Sequence, residues 1–307
     1  MSWLSLTIIA QVLNSIVALF DKYLVTSKRV TTPILYVFYT GVLTCLGILI
    51  YVPALFISHN SLPKFSNISF LPFSLLLLLI CASTFQLVAL WALFSSLKKN
   101  DASDVVPVIG SLSALFALVI GYLFLEVNLP AHFNIGFGLL VLGTLLISHL
   151  RFNKKTILFT LLGGFSFALF NILLKEILIR TSFDTGFFWM SIGTTILSFG
   201  LLFSKKIRNT FHVQRKEKHI KVTGIVMLGS KVLAGIAGVL LIKAIEVGEV
   251  SLVQALGGLQ FVFLFLIAVV IGPLTPLDFG ENITRKDMYS KLIAISIIVI
   301  GFILLFI

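Results

Sequence analysis

The sequence contains little charge and few groups that perform chemistry. Only 11% of its residues are charged, whereas 58% are hydrophobic, and the mean hydropathy is +1.10. So few polar residues are not enough to form the surface of a soluble globular protein. Its two cysteines, Cys45 and Cys81, lie inside apolar runs, where a thiol usually behaves as a small hydrophobic group.

Motifs of the common enzyme and metal-site classes are also missing. The chain has no nucleophile elbow, no zinc-protease helix motif, no glycine-rich phosphate loop and no Cys or His pair at metal spacing. We therefore predict a protein that is not an enzyme and that has no catalytic residues, no cofactor and no metal site.

What the chain does have is ten apolar runs, each long enough to cross a bilayer. About 20 apolar residues in a helix span the roughly 30 Å hydrocarbon core, where lipid offers the backbone no hydrogen bonds. The sequence thus predicts an all-α, polytopic membrane protein with ten transmembrane helices. The runs are 3–24, 33–55, 73–97, 103–125, 131–150, 156–178, 186–203, 221–245, 250–271 and 288–307.

The net charge of +11 resides mainly in the connections between these runs. In a soluble protein it would indicate nucleic acid, but the positive-inside rule accounts for it here. We predict no nucleic-acid partner, a place in the cell membrane, cytoplasmic odd-numbered connections and both termini outside. One connection, 205–221, dominates this bias. The basic residues after odd-numbered runs are Lys28, Arg29, Lys98, Lys99, Arg151, Lys154, Lys155, Lys205, Lys206, Arg208, Arg215, Lys216, Lys218 and Lys221.

The connection after the third run resembles the connection after the eighth. Aligning positions 99–107 with 247–255 places Asp101 opposite Glu249 and Ser103 opposite Ser251, and such groups suit the unpaired N–H groups at a helix start. Because each half holds five runs, an odd number, the second half must enter the membrane inverted. We predict two inverted five-helix repeats, residues 1–150 and 151–307, with a binding site near the midplane between them.

These features resemble the drug/metabolite transporter superfamily, and within it the EamA-type permeases with two five-helix repeats. The first half carries the turn Leu97-Lys98-Lys99-Asn100-Asp101-Ala102-Ser103, a helix that contains Pro107, and the segment 121–126 that ends in Glu126. The second half carries the matching turn at 244–253. The resemblance covers nearly the whole chain.

The resemblance also implies roles for single residues. Glu281 would fill the terminal Glu position of the second half behind an inserted segment, 273–280, and Lys22 and Lys175 match the family's basic residue in the first helix of each half. Asn14 stands about where the family often has Trp. The substrates that the resemblance implies are amino acids, other metabolites or drugs, often moved outward.

Polar side chains at membrane depth are the best local evidence for a pathway, because they cost free energy in lipid. Polar or small residues recur at helical spacing on runs 1, 6 and 8, and runs 3 and 9 add others. We expect helices 1, 3, 6 and 8 to face a shared centre, although small residues also permit close packing and Asn or Gln also bridge helices. The predicted substrate-binding residues are Asn14, Gln86, Trp91, Asn171, Lys231 and Gln254.

Lys231 is the most central ionisable residue of the sequence. A charge at that depth costs at least ~2.5 kcal/mol on insertion scales, so a cavity, an anionic ligand or backbone carbonyls must compensate it. Every Asp and Glu lies in a connection or near the end of a run, and Asp21, Lys22 and Lys175 are expected to reach the interface or to pair locally. We expect no carboxylate beside Lys231, and hence a neutral or anionic substrate.

These patterns predict a secondary transporter that moves a small polar metabolite by alternating access. Its partners are a small-molecule substrate and the lipid bilayer, and it acts as a monomer or homodimer. A carrier of a phosphorylated or lipid-linked substrate is the alternative transporter, which Lys231 would suit. An integral-membrane enzyme, a sensor and an assembly partner are the alternatives from other classes.

Overall fold

The computed structural model describes residues 2–26, 32–53, 63–124, 135–139, 141–143, 152–214, 220–270 and 285–304. Within these ranges the regular secondary structure is entirely helical, with no strand. Eight helices there are long and apolar enough to cross a membrane. An all-α chain with several helices of membrane-spanning length is therefore confirmed, while the number ten stays a prediction.

The helices follow the apolar runs closely. α2 ends at Leu43 and continues as a 3-10 helix, Thr44–Tyr51, and the ninth run divides at Leu256 into two helices. The described α-helices are α1 (Trp3–Thr26), α2 (Pro33–Leu43), α3 (Phe73–Leu97), α4 (Ala102–Phe124), α5 (Lys154–Arg180), α6 (Phe183–Gly200), α7 (Lys205–Gln214), α8 (Ile220–Val247), α9 (Val250–Ala255), α10 (Gly257–Val270) and α11 (Arg285–Leu304).

Much of the fifth predicted span, and the ends of the second, fourth, ninth and tenth, lie outside the described residues. Of the fifth run, 131–150, the structure describes the helical pieces 135–139 and 141–143. Of the tenth run it describes α11, whose apolar part is Leu292–Leu304. Glu126 and Glu281, the two predicted terminal acids, also lie outside the described residues.

Local sequence determines where several helices begin. The side chain of Asn153 accepts the N–H of Thr156 at 2.9 Å, and Ser182 Oγ accepts the N–H of Thr185 at 3.2 Å. Each bond satisfies a donor that the helix itself leaves unpaired. Pro33 occupies the first turn of α2, where its missing N–H costs nothing.

The helices of the two predicted halves pack against each other crosswise. α1 packs along α8 and α3 packs along α5, whereas α2 contacts α6 and α4 contacts α9 and α10. α1 and α8 are antiparallel, because a Cβ on Gly248 would lie 3.2 Å from Trp3 at one end, while Asp21 meets Lys231 towards the other. The first helix of each predicted half thus lies against the third helix of the other half.

Close packing explains one of the small residues in the sixth run. A Cβ added to Gly164 in α5 would lie 2.5 Å from Leu112 Cβ in α4, which is far too short for two carbons. Gly164 therefore permits the approach of these two helices, as small residues do in membrane proteins.

Large apolar side chains cover much of the outside of the described helices. Phe73, Leu158 and Ile225 are 81%, 66% and 72% exposed. Such an exterior is unfavourable in water but suits hydrocarbon, so these faces fit a lipid environment.

Candidate functional site

A cavity of about 440 Å³ lies between α2 with its 3-10 extension, α3, α5, α6 and α8. It borders helices of both predicted halves. Along α8 it reaches from Lys231 to Ile242, which is about 16 Å at the helical rise of 1.5 Å per residue. Much of its wall is apolar, and its polar side chains are Thr40, Thr44, Gln86, Ser191, Thr194 and Lys231.

Three polar side chains of the wall, Gln86, Thr194 and Thr44, take part in hydrogen bonds between the two halves. Thr194 Oγ1 in α6 donates to Gln86 Oε1 in α3 at 2.7 Å. Thr44, at the start of the 3-10 helix, donates its hydroxyl to Gly41 O at 2.5 Å and lies 3.2 Å from the hydroxyl of Thr195. These bonds hold the side chains of the wall in place. The polar side chains of the wall suit a substrate that has hydrogen-bonding atoms.

A buried ion pair adjoins the cavity. Lys231 Nζ lies 2.8 Å from Asp21 Oδ1, and the same oxygen accepts the hydroxyls of Tyr36 at 2.5 Å and Ser230 at 3.2 Å. Asp21 is 6% exposed and Lys231 is 7% exposed. Each charge therefore compensates the other away from solvent, as a buried pair requires.

The expectation that no carboxylate lies beside Lys231 is wrong. Asp21 is near the end of α1. Counted from the ends of the apolar runs, Asp21 is therefore expected near the membrane surface and Lys231 near the middle of the bilayer. Counted from the contact of Gly248 with Trp3, Asp21 is 18 residues along α1 and Lys231 is 17 residues back along α8. The two residues therefore lie at the same level, and α8 extends past the end of α1.

Aromatic rings enclose the ammonium group of Lys231. Its Nζ lies 4.6 Å from the ring centre of Tyr36 and 5.3 Å from that of Phe94, within the range of cation–π attraction. Lys231 is a lining residue of the cavity, whereas Asp21, Tyr36 and Phe94 are not. Lys231 therefore stands between the cavity and the buried carboxylate.

Two lysines bind backbone carbonyls at the ends of the third helix of each half. Lys22 Nζ donates to Leu97 O at 3.0 Å and Asn100 O at 2.7 Å. Lys175 Nζ donates to the carbonyls of Ile245, Glu246 and Gly248 at 2.7, 2.8 and 3.0 Å. Ammonium groups there compensate the negative end of a helix.

A second polar cluster lies at the start of α6. Asp184 Oδ2 accepts the amide of Asn67 at 2.8 Å, and Tyr51 donates its hydroxyl to Asp184 O at 2.7 Å. Trp189 Nε1 donates to Ser69 O at 2.9 Å. The described residues Asn67 and Ser69 before α3, and Tyr51 after α2, are thereby held against the start of α6.

The six predicted binding residues have different surroundings. Gln86 and Lys231 line the cavity, while the other four are absent from its wall. Asn171 donates to Phe167 O of its own helix at 2.8 Å, and Gln254 accepts the hydroxyl of Ser113 at 3.2 Å. Trp91 contacts the ring of Phe159 edge-on, and Asn14 is half-buried in α1. Substrate contact by these six stays a prediction.

The sequence pattern did not predict that α2 and α6 line the cavity. α3 and α8 line it with residues of the expected polar faces, whereas α5 contributes Phe170, which lies outside its expected face, and no lining residue comes from α1. Ser191, Thr194 and Ser198 recur at helical spacing on α6 and form a signal of the same kind as the one on α1. Ser and Thr in a helix often bond to their own backbone, which hides that signal.

Comparison with known proteins leaves the family open. No model of a known protein family matches the chain, and no curated protein matches it. A solved structure described only as a "Crystal structure of protein" is similar, with a TM-score of 0.63, 16% sequence identity, and coverage of 97% of this chain and 96% of the other. At that identity the likeness concerns the fold alone.

Proposed function

We propose that the protein is a secondary transporter of the EamA kind within the drug/metabolite transporter superfamily. In this proposal two inverted five-helix halves move a small polar metabolite, neutral or anionic, across the cell membrane by alternating access. The observation that carries the proposal is a cavity lined by α2 and α3 of one half and α5, α6 and α8 of the other.

Two further observations support it. The crosswise packing of first and third helices is the exchange that a two-fold axis in the membrane plane produces. Lys22 and Lys175 also bind matching turns in the two halves. A phosphorylated substrate is less well supported, since Lys231 already has a carboxylate partner and no other charged residue lines the cavity in the part of the chain that the structure describes.

Uptake into proteoliposomes tests the proposal. Candidate metabolites come from a thermal-shift screen of the purified protein, because a ligand that binds only the folded state raises its stability. Each stabilising compound, radiolabelled, is then offered to vesicles with and without the protein. Protein-dependent accumulation that a pore-forming agent releases supports transport. Chemical conversion without accumulation would indicate an enzyme instead.

A further inference from the structure

We infer that Asp21 and Lys231 form a proton-linked anion site, which takes an organic monocarboxylate with an apolar body together with one proton. This inference rests on the proposed transport function and adds to it the substrate class and the coupling ion. It follows from the charge balance of the cavity, the groups around Asp21 and the space beside Lys231.

The charge balance of the site leads to the proton. Among the described residues of the cavity wall Lys231 alone is charged, and its ammonium group is bound to a carboxylate outside that wall. An anion that takes Lys231 as its partner leaves Asp21 buried with a negative charge and no cation, which is costly. One proton from water, bound to Asp21, removes that charge. The ammonium then pairs with the carboxylate of the substrate, and the site is again neutral.

The groups around Asp21 suit both its charged and its protonated form. α8 contributes Lys231 and Ser230, and α2 contributes Tyr36. Both hydroxyls donate to the carboxylate. When Asp21 carries a proton, one hydroxyl can accept that proton while the other still donates to a carboxyl oxygen. Asp21 therefore keeps hydrogen-bond partners after Lys231 leaves.

The other helices that pack against α1 bring few charged groups near Asp21. Within their described residues α3, α9 and α10 contain no acidic or basic side chain. Lys22, the neighbour of Asp21 in α1, binds the carbonyls of Leu97 and Asn100. α4 begins beside that turn with the buried carboxylates Asp101 and Asp104. Lys231 is thus the cation that balances Asp21.

The space beside Lys231 allows its ammonium to move. Gly235, one turn further along α8, lines the cavity, and an added Cβ there would meet nothing within 4 Å. A lysine has four rotatable bonds, so its ammonium can exchange Asp21 for a group in the cavity without a change in α8. The apolar wall around it, with Phe187 and Met190, suits the body of the substrate.

Isothermal titration of the wild-type protein with benzoate tests the inference directly. Titrations in buffers of different ionisation enthalpy give the number of protons taken up on binding. We expect benzoate to bind with uptake of about one proton, and the uncharged analogue benzamide to bind at least ~10-fold more weakly. Binding of benzoate with no proton uptake, or equal binding of benzamide, overturns the inference.

Other probes separate this inference from the proposed function. Acetate and 3-phenylpropionate extend the series in size, and failure of all three acids to bind overturns the monocarboxylate site. Tighter binding of inorganic phosphate overturns it as well. If proteoliposomes still accumulate another metabolite, the transport proposal survives. Loss of all protein-dependent accumulation, with proton-linked benzoate binding intact, leaves the site standing and removes the transport proposal.

Three variants assign the proton to Asp21. Asp21→Asn should bind benzoate with no proton uptake. Glu176→Gln, which changes a half-buried carboxylate paired with Arg180, should behave as the wild type. The double variant Asp21→Asn/Lys231→Met removes both charges together and so avoids a single buried charge; it should fold and bind no benzoate. Undiminished proton uptake in Asp21→Asn, or benzoate binding by the double variant, contradicts the assignment.

Discussion

Lys22 and Lys175 make the same contact in the two halves of the chain. Lys22 binds the carbonyls of Leu97 and Asn100, and Lys175 binds those of Ile245 and Gly248. The alignment that pairs Asp101 with Glu249 also pairs these carbonyl positions one with the other. Two sites far apart in sequence therefore fix the end of a third helix to the first helix of the same half.

We expect both lysines to stabilise the fold. Lys22→Met and Lys175→Met remove charged donors from several carbonyls, and each should lower the free energy of unfolding by about 2 kcal/mol. Thermal melting in detergent measures the loss. Lys154→Met, an exposed lysine at the start of α5, is the control and should melt like the wild type. Unchanged melting of both lysine variants would show that the carbonyl contacts contribute nothing.

The ion pair determines how the loss of Lys231 affects stability. Lys231→Met should destabilise the protein by roughly 3–5 kcal/mol, because it leaves Asp21 buried without a cation. Asp21→Asn/Lys231→Met should restore most of that stability. Melting temperatures of the wild type and the two variants provide the comparison. If Lys231→Met alone is as stable as the wild type, another group must compensate the charge of Asp21.

The cavity is tested by filling it. Gly235→Phe places a ring in the open space beside Lys231 and should weaken substrate binding at least ~10-fold, or about 1.4 kcal/mol. Gly229→Phe is the matched control, because Gly229 also lies in α8 with open space around it but outside the cavity wall. Equal uptake by the two variants would exclude this cavity from the transport pathway.

Inversion of the two halves predicts opposite accessibility of equivalent connections. Ser66 lies between α2 and α3, and Ser204 lies at the corresponding place after α6; both are exposed. In a background that replaces Cys45 and Cys81 with Ser, Ser66→Cys and Ser204→Cys should react with an impermeant maleimide from opposite sides of the membrane. Reaction of both from one side would rule out the inverted repeat.

The basic connections predict an orientation. An epitope tag attached after Ile307 should be accessible to antibody in intact cells, since the positive-inside rule places both termini outside. A tag inside the connection 205–221 should be accessible only after permeabilisation. The opposite pattern would show that the charge bias does not set the topology of this chain.

The helices themselves were predictable from the sequence because of the solvent they require. An apolar run such as 73–97 satisfies its backbone hydrogen bonds in lipid only as a helix, so hydropathy alone places α3 at Phe73–Leu97. The turn at Asn100 was equally evident, because an acidic residue and a serine follow it at the start of α4. Irregular backbone was not predictable from the sequence, because neither the 3-10 helix Thr44–Tyr51 nor the break at Leu256 has a distinct apolar pattern.

The sequence by itself determined the helical class, the position of most helices and the need of the Lys231 charge for compensation, since each depends on local composition and on the cost of charge in hydrocarbon. Only the tertiary structure decided what surrounds Lys231. Its pairing with Asp21 depends on how far α8 extends past α1, and the cavity depends on α2 and α6 meeting α3, α5 and α8. Those relations join residues distant in sequence, and the periodicity of a single helix carries no information about them.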